Sequence, residues 1–480
     1  MSMGKIWSGK SLRLSVGMSV LAVATALLLQ APKVGAQGAP TFQCDGTIYI
    51  AYNQTNTQLA RLNVQNAPVD MTSIGGPYTQ GYNAMGFNFN DGYIYGYNST
   101  DEEYVRIAAD GTAASIGAPV AGMPAGAPDY LAGDFDGDGY HNMLSAVGGG
   151  PLEWVVTDVS TPTPTLVGTF TLTNDLPGNM AVGDMAYNPK DGNFYGVDSV
   201  AHRVVMISVN ATHTAGTVTH LSADNTSVYE PGSVLHGAAM IDAKGELLTT
   251  QLNPGKLFRS IIGTNGSGTG ASTLVNDVPT VAQYDGAACP YAPLFEKSAT
   301  PRTLKAGEQV TYTYTVYNAL VSGPLTFTFS DVLTDNRTFV AGTLSNLHGG
   351  TASAYGGQGS VTVTGMSVPA SSSITFNLTV QIPNDAPSKT MTNQAVINNF
   401  SVVSFPSELR SDDPTTVLAG DPTTITVQAN PVPGTPDTGF GVITSNPLLF
   451  GGLLSLLAAG LVLLGRRMHP ESARIKIQKK

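Results

Sequence analysis

Two hydrophobic periodicities run along this chain, and one gives way to the other near residue 294. From Thr41 onward, short apolar stretches recur around tight turns. The segments DGTIYIAYN (45–53), DGYIYGYN (91–98) and DGNFYGVD (191–198) share one form. The turns fall at Asp45-Gly46, Asp91-Gly92, Asp138-Gly139, Asp191-Gly192 and Lys244-Gly245. After each comes an apolar strand: QLARLNV (58–64), EYVRIAA (103–109), EWVVTDV (153–159), RVVMISV (203–209) and KLFRSII (256–262). Asp-Gly suits a hairpin whose central residues need positive φ. A repeat of about 41–53 residues is that of a four-stranded propeller blade. Five units fit residues 41–293. The last segment, DGAACPY (285–291), reads as an opening strand without the rest of its unit. The first, TFQCDGTIYI, reads as a unit lacking its opening strand. Pairing the two closes a ring; an open stack of hairpins or a six-bladed ring fits the same repeat.

From Leu294 the pattern becomes strict alternation, strongest in QVTYTYTVYN (309–318) and SITFNLTVQI (373–382). Period two marks half-buried antiparallel strands. Seven or so of them over 294–428 predict an immunoglobulin-like sandwich. Residues 429–446 are a Pro/Gly/Thr linker. No stretch between Gln37 and Pro431 sustains a helical period. The expected fold class is therefore all-β: a propeller of about five blades, then an immunoglobulin-like sandwich, plus one C-terminal transmembrane helix.

The two ends have a different composition. Lys5, Lys10 and Arg13 precede an apolar core at Leu14–Leu29 and a small-residue site at Val34-Gly35-Ala36, the order of a signal peptide over residues 1–36. Leu448–Leu464 is uncharged and predicts a membrane helix over 447–465. The basic residues of the tail 466–480 place that end in the cytoplasm. Between the ends lie 13 basic against 33 acidic residues, a net charge of about −20, which excludes nucleic acid as a partner. The two cysteines, Cys44 and Cys289, form an even pair in an exported chain and are expected to be bridged, locking the ring.

Three stretches resemble known families. Thr435-Pro436-Asp437-Thr438-Gly439, followed by the apolar run and Arg466-Arg467, resembles the LPxTG cell-wall sorting signals of Gram-positive-type surface proteins. Pro436, Asp437, Thr438 and Gly439 keep the register, and Thr435 stands where those signals have Leu. The resemblance implies a sortase as partner and a bacterial cell-surface location, with the body outside the cell, anchored to membrane or wall. GYNAMGFNFNDGYIYGYN, AGDFDGDG and DMAYNPKDGNFYGVD resemble an uncharacterised family of bacterial surface domains with propeller-like repeats, over residues 42–292. KSATP, AGEQVTYTYTV, NQAVI and the SDDPTT…GDPTT ending resemble the conserved-repeat domains of bacterial surface and pilus-like proteins.

Three constellations carry candidate chemistry. Asp134, Asp136 and Asp138 have the D-x-D-x-D-G spacing of a calcium loop, with Asn142 at the ninth position and Ser145 where a helical site has Glu. Calcium is the one cofactor this suggests; an acidic blade turn has the same sequence. Lys297, Asp331 and Asn393 match in order the residues that form a Lys–Asn isopeptide bond in sandwiches of collagen-adhesin type. That chemistry needs a neutral, desolvated Lys and a carboxyl that polarises the amide. A surface lysine, a turn acid and a strand-end amide would look alike in sequence. Asn83, Asp134, Asp184, His236 and Asp285 lie near the start of successive opening strands. They would either ring a ligand-binding channel mouth or satisfy neighbouring backbone. No HExxH, GxSxG or Walker motif occurs, so no enzyme is expected. The leading expectation is an envelope-anchored protein displaying a propeller head for adhesion or recognition of a glycan or protein. A structural envelope component without a specific ligand, and an extracellular hydrolase or lyase, are the alternatives.

Overall fold

The structure is a computed structural model. It describes residues 38–431 apart from 54–55, 65–67, 117–118, 125–128, 146–151, 230–234, 282–283 and 417–419. The signal peptide, the sorting motif, the membrane helix and the basic tail read from the sequence lie outside the described residues. Within them no helix is long and apolar enough to cross a membrane. The described chain is all-β; its one helical element is a 3-10 turn at Thr264–Gly266.

Five antiparallel sheets make the first unit. The second blade runs Asn83–Asn88, Tyr93–Asn98, Glu103–Ile107 and Ala113–Ser115. The third runs Ala132–Phe135, His141–Ser145, Glu153–Asp158 and Thr165–Thr171. Val182–Asn188, Asn193–Asp198, Arg203–Val209 and Gly216–His220 form the fourth, with Thr173–Asn174 added parallel to its outer strand. His236–Ile241, Leu247–Gln251, Lys256–Ser260 and Ser272–Asp277 form the fifth. The first blade is shared between the ends of the unit. Ile48–Tyr52, Gln58–Asn63 and Asp70–Ser73 supply three strands, and Tyr284–Ala287 supplies the innermost one, Ile50 opposite Gly286. The five inner strands touch in succession and the last touches the first, which closes a propeller ring. Cys44 and Cys289 are disulfide-bonded across that closure.

The repeated turns do the work their sequence implies. Gly46, Gly92, Gly139, Gly192 and Gly245 all have positive φ, which a side chain disfavours. The residues between the turns are buried on both faces: Tyr93–Asn98 and Val182–Asn188 are buried throughout. The inner two strands of a blade are covered by neighbouring blades on either side, so alternation is lost and near-continuous apolar runs replace it.

The second unit begins at Leu294–Thr300. One sheet joins that strand to Gln309–Asn318, Ser372–Gln381 and Thr338–Phe339. The other joins Thr351–Ala352, Ser360–Val368, Leu325–Val332, Val396–Asn398 and Glu408–Arg410. Thr303–Lys305, Thr423–Gln428 and Lys389–Asn393 form a third, three-stranded sheet. Here the alternation survives: Gln309–Asn318 buries every second residue, from Val310 to Asn318. Tyr312, Tyr314, Val316, Phe327, Phe329, Phe376 and Leu378 fill the space between the layers. The same apolar cluster continues through Phe295 and Tyr291 to Cys289, Cys44 and Phe42 of the ring, and Cys44 N–H donates to Ser404 O (2.8 Å). The two units therefore share a core at the point of ring closure.

Candidate functional site

On the ring axis the structure assembles three carboxylates from three blades. Asp134, Asp184 and Asp285 sit on the inner strands of the third, fourth and first blades and are buried. Each reaches a neighbouring blade's main chain. Met85 N–H donates to Asp285 Oδ2 (2.7 Å), Tyr187 N–H to Asp134 Oδ2 (2.8 Å) and Ala239 N–H to Asp184 Oδ2 (2.7 Å). Gly286 N–H is shared, donating to Asp184 Oδ2 (3.1 Å) and Asp285 Oδ1 (3.0 Å). A register shift lies at the Gly183-Asp184 pair; such bulges re-aim a side chain, here toward the axis. The preceding glycines permit the approach. A Cβ at Gly133 would stand 2.4 Å from Ala84 O, and one at Gly183 2.7 Å from His236 O.

Burial dominates the electrostatics of this group. Desolvation pushes Asp134 up to about 7 against the pull of its N–H donors. It raises Asp184 well above the usual carboxylate range, with the Asp285 charge adding to it, and raises Asp285 likewise. Two carboxylates sharing one N–H cannot both ionise cheaply, so protons are held within the pair.

The five residues expected at a channel mouth are thus not gathered there. The three acids are inside the ring, with oxygens bonded to main chain. His236 is also buried, but its Nδ1 meets Thr249 Oγ1 (3.0 Å) and its ring packs on Tyr229 and Phe258. Burial draws its pKa down to about 3. Asn83 is half-buried, opposite Tyr97. The set is divided because His236 stands level with Val182, opposite Gln251 as Val182 is opposite Asp198, and Ala238 occupies the position of Asp184.

Nor do the residues of the expected calcium loop converge. Asp134 faces the axis, while Asp136 begins the turn and is saturated by protein donors. Its Oδ1 accepts from the N–H of Asp138 (3.1 Å) and Tyr140 (2.9 Å), and its Oδ2 from Asn142 Nδ2 (2.9 Å). His213 Nε2, from the neighbouring blade, lies 3.1 Å from the same Oδ2. Asn142 gives its oxygen to Trp154 Nε1 (3.0 Å). Among the described residues no group of three His, Cys, Asp or Glu is placed to hold a metal. The spacing in sequence was that of a cation loop, but the strand ends at Phe135 and separates the first acid from the second.

In the sandwich, Lys297, Asp331 and Asn393 do come together. Lys297, on Leu294–Thr300, is wholly buried, and its Nζ donates to Asp331 Oδ2 (2.6 Å) on Leu325–Val332. Tyr314 Oη donates to the same oxygen (2.6 Å). The Nζ lies 4.0 Å from the centre of the Tyr312 ring. Asn393 Nδ2 donates to Val332 O (2.9 Å), next to Asp331. Asn393 is also opposite Thr423, whose hydroxyl donates to Lys297 O (2.6 Å). Asp331 Oδ1 and Asn393 Oδ1 are buried with no hydrogen-bond partner. Desolvation draws Lys297 down to about 8, against the opposing charge of Asp331. A buried acceptor without a donor costs about 1–3 kcal/mol, and two in one cluster call for an explanation.

Sequence reasoning missed Tyr312, Tyr314 and Arg337 around this site. The alternating strand QVTYTYTVYN could have pointed to the tyrosines, which share one face with Val310 and Val316. Arg337, in a turn of Asp, Asn and Arg, carries no such signal. Missed also was His220 on the outer strand of the fourth blade. It is held between Asp175 (2.6 Å) and Asp198 (3.0 Å), whose bonds raise its pKa although burial opposes them.

No curated protein matches the chain. Among solved structures it is similar to a virginiamycin B lyase from Staphylococcus aureus, at 11% identity over 59% of this chain and 84% of that one, TM-score 0.28. It is similar to the pilus backbone of Streptococcus pneumoniae at 11% identity over 22% of this chain, TM-score 0.18, and spans 31% of that protein's length. A collagen-binding domain from a Staphylococcus aureus adhesin is 13% identical over 28% of this chain and 96% of that one, TM-score 0.18. Likenesses at these scores carry no statement about activity. The repeat of unknown function DUF6923 matches residues 38–291, the whole five-sheet ring and more than half of the 480 residues; the chain belongs to that family.

Proposed function

We propose that this is a non-enzymatic, envelope-anchored bacterial surface protein. A propeller head is displayed for adhesion or recognition on an immunoglobulin-like stalk that carries a Lys297–Asn393 isopeptide bond. The observation that supports it is the sealed cluster of Lys297, Asp331 and Asn393. A lysine and an amide enclosed with one carboxyl in an apolar core are a costly arrangement for stability alone. They are the groups a self-forming cross-link requires.

The arrangement supports a balanced sequence of steps. Asp331 takes a proton from the Lys297 ammonium, leaving the amine free to attack Asn393 Cγ. A proton on Asp331 Oδ1 supplies the donor that Asn393 Oδ1 lacks, and so polarises the carbonyl. The Nζ–Cγ bond forms, the Cγ–Nδ2 bond breaks, and Nδ2 takes up the second Nζ proton, relayed through Asp331, to leave as ammonia while the first proton stays on Asp331. No oxidant or cofactor enters the balance. The signal peptide at 1–36 and the sorting motif Pro436-Asp437-Thr438-Gly439 supply export and anchoring, by a sortase or by the apolar helix itself. An intact-mass measurement of the chain tests the stalk. It should be lighter than its sequence by one ammonia, beyond the hydrogens lost to Cys44–Cys289. An unshortened mass would remove the cross-link from this reading.

A further inference from the structure

Beside the cluster lies a second buried cation. Arg337 is 1% exposed, among the largest fully enclosed side chains of the molecule. Its guanidinium is bonded almost wholly to neutral groups. Nε donates to Thr334 O (3.0 Å), Nη2 to Thr334 Oγ1 (3.0 Å) and to Thr392 O (2.9 Å), and Nη1 to Tyr312 Oη (3.3 Å). The nearest carboxylate, Asp335, stands 3.8 Å away and is closer to Lys389 (2.6 Å). A guanidinium enclosed without a close counter-ion is expensive, and a purely apolar side chain would fill the same space more cheaply.

Two of its bonds lead to the reacting groups. Thr392 immediately precedes Asn393, so the bond to Thr392 O fixes the strand end from which the amide projects. Tyr312 lies between the two cations, its hydroxyl bonded to Arg337 and its ring face under the Lys297 Nζ. We infer that Arg337 is a positioning residue for the Lys297–Asn393 bond, aiming Asn393 through Thr392 and acting on the Lys297 amine through Tyr312. This rests on the cross-link reading and names a group that assists burial in making the lysine a nucleophile. Two like charges across one ring disfavour the ammonium form, and the Arg337 charge adds to the burial that draws Lys297 down. The titratable and charged groups around the Lys297 amine are Asp331 from one strand, Tyr312 and Tyr314 from a second and Arg337 from the turn. Farther along, Arg302 is neutralised by Asp413 (2.6 Å).

The test follows bond formation by intact mass during cell-free synthesis of the full chain, in oxidising medium, between pH 6 and 9. Arg337→Met and Arg337→Lys are compared with the parent. The parent should lose ammonia fastest. Arg337→Met should react at least tenfold more slowly, with its rise in rate displaced to higher pH because the lysine holds its proton longer. Arg337→Lys should bring the pH profile back toward the parent while remaining slower, since the fork to Thr334 and Thr392 is lost. Formation of Cys44–Cys289, read from the same spectra, shows that each variant has closed its ring. Parent-like rate and profile in Arg337→Met overturn the inference, as does a profile for Arg337→Lys displaced as far as that of Arg337→Met. A parent chain that never loses ammonia overturns the cross-link reading and this inference with it, and that result is distinct from the other two.

Discussion

Buried aspartates occur in both halves of this molecule and are answered differently. In the ring, Asp134, Asp184 and Asp285 are met by main-chain N–H groups of neighbouring blades. In the sandwich, Asp331 is met by the side chains of Lys297 and Tyr314, beside an amide with an unpartnered oxygen. A backbone donor has no proton to give up at working pH, and the bonds of the ring carboxyls tie one blade to the next. A lysine has one, and its transfer leaves a nucleophile. In the proposed reading the same residue type is a fastener in one place and a reagent in the other, and the partner decides which.

The contrast can be broken most strongly in the sandwich. Lys297→Met removes the donor of the proposed cross-link, which closes a loop of about a hundred residues; a loss of about 3–5 kcal/mol is expected from the chain entropy that such a closure removes. Denaturant unfolding followed in the sandwich would read it, and a change below 1 kcal/mol would deny Lys297 its role. A smaller effect is expected on the axis. Asp184→Ala leaves the Ala239 N–H without its acceptor, at a cost of about 1–3 kcal/mol. The loss should fall on the melting of the ring, with the ammonia loss of the sandwich untouched. A variant that also stopped the cross-link would show the halves to be coupled.

The gentlest test sharpens the comparison through pH. The folded value of Asp134, about 7, exceeds that of an unfolded aspartate, so the folded ring binds more protons there. Its contribution is full below about pH 4 and is lost as pH rises through about 7, by up to about 1.4 kcal/mol for each pH unit in that window. Asp134→Asn cannot titrate. Measured by thermal melting at pH 5 and pH 8, the parent should lose stability relative to this variant as pH rises. A difference independent of pH would mean that Asp134 is not held protonated.

How much of this was legible in the sequence depends on whether the partners were local. The Asp-Gly turns and the Tyr-rich strands announced an all-β chain of repeated hairpins, because turn chemistry and strand pattern act within a few residues. The Cys44–Cys289 pair was legible for a different reason: the incomplete units at 41–50 and 285–291 needed each other. The sharing of Gly286 between Asp184 and Asp285 was not. It joins positions about a hundred residues apart, and only ring closure makes them neighbours. Asp134 misled because its spacing to Asp136 and Asp138 is that of a cation loop, while the strand boundary at Phe135, invisible in the pattern, sends it inward. Arg337 stayed hidden because an arginine in a polar turn reads as exposed, and only its bonds to Thr334, Thr392 and Tyr312 explain its burial.

The placement of the disulfide has a mechanical consequence. The strand that closes the ring, Tyr284–Ala287, leads through Cys289 directly into Leu294–Thr300, the first strand of the sandwich. A pull transmitted up the sandwich therefore arrives at Cys289 before it reaches any blade. From there the bond to Cys44 carries tension to the other end of the ring without passing through the four intervening sheets. The closing strand would otherwise be peeled from Ile48–Tyr52 one hydrogen bond at a time, the weakest way to load a β-ladder. With the covalent bridge beside it, a pull between Cys289 and the chain before Cys44 bypasses that ladder.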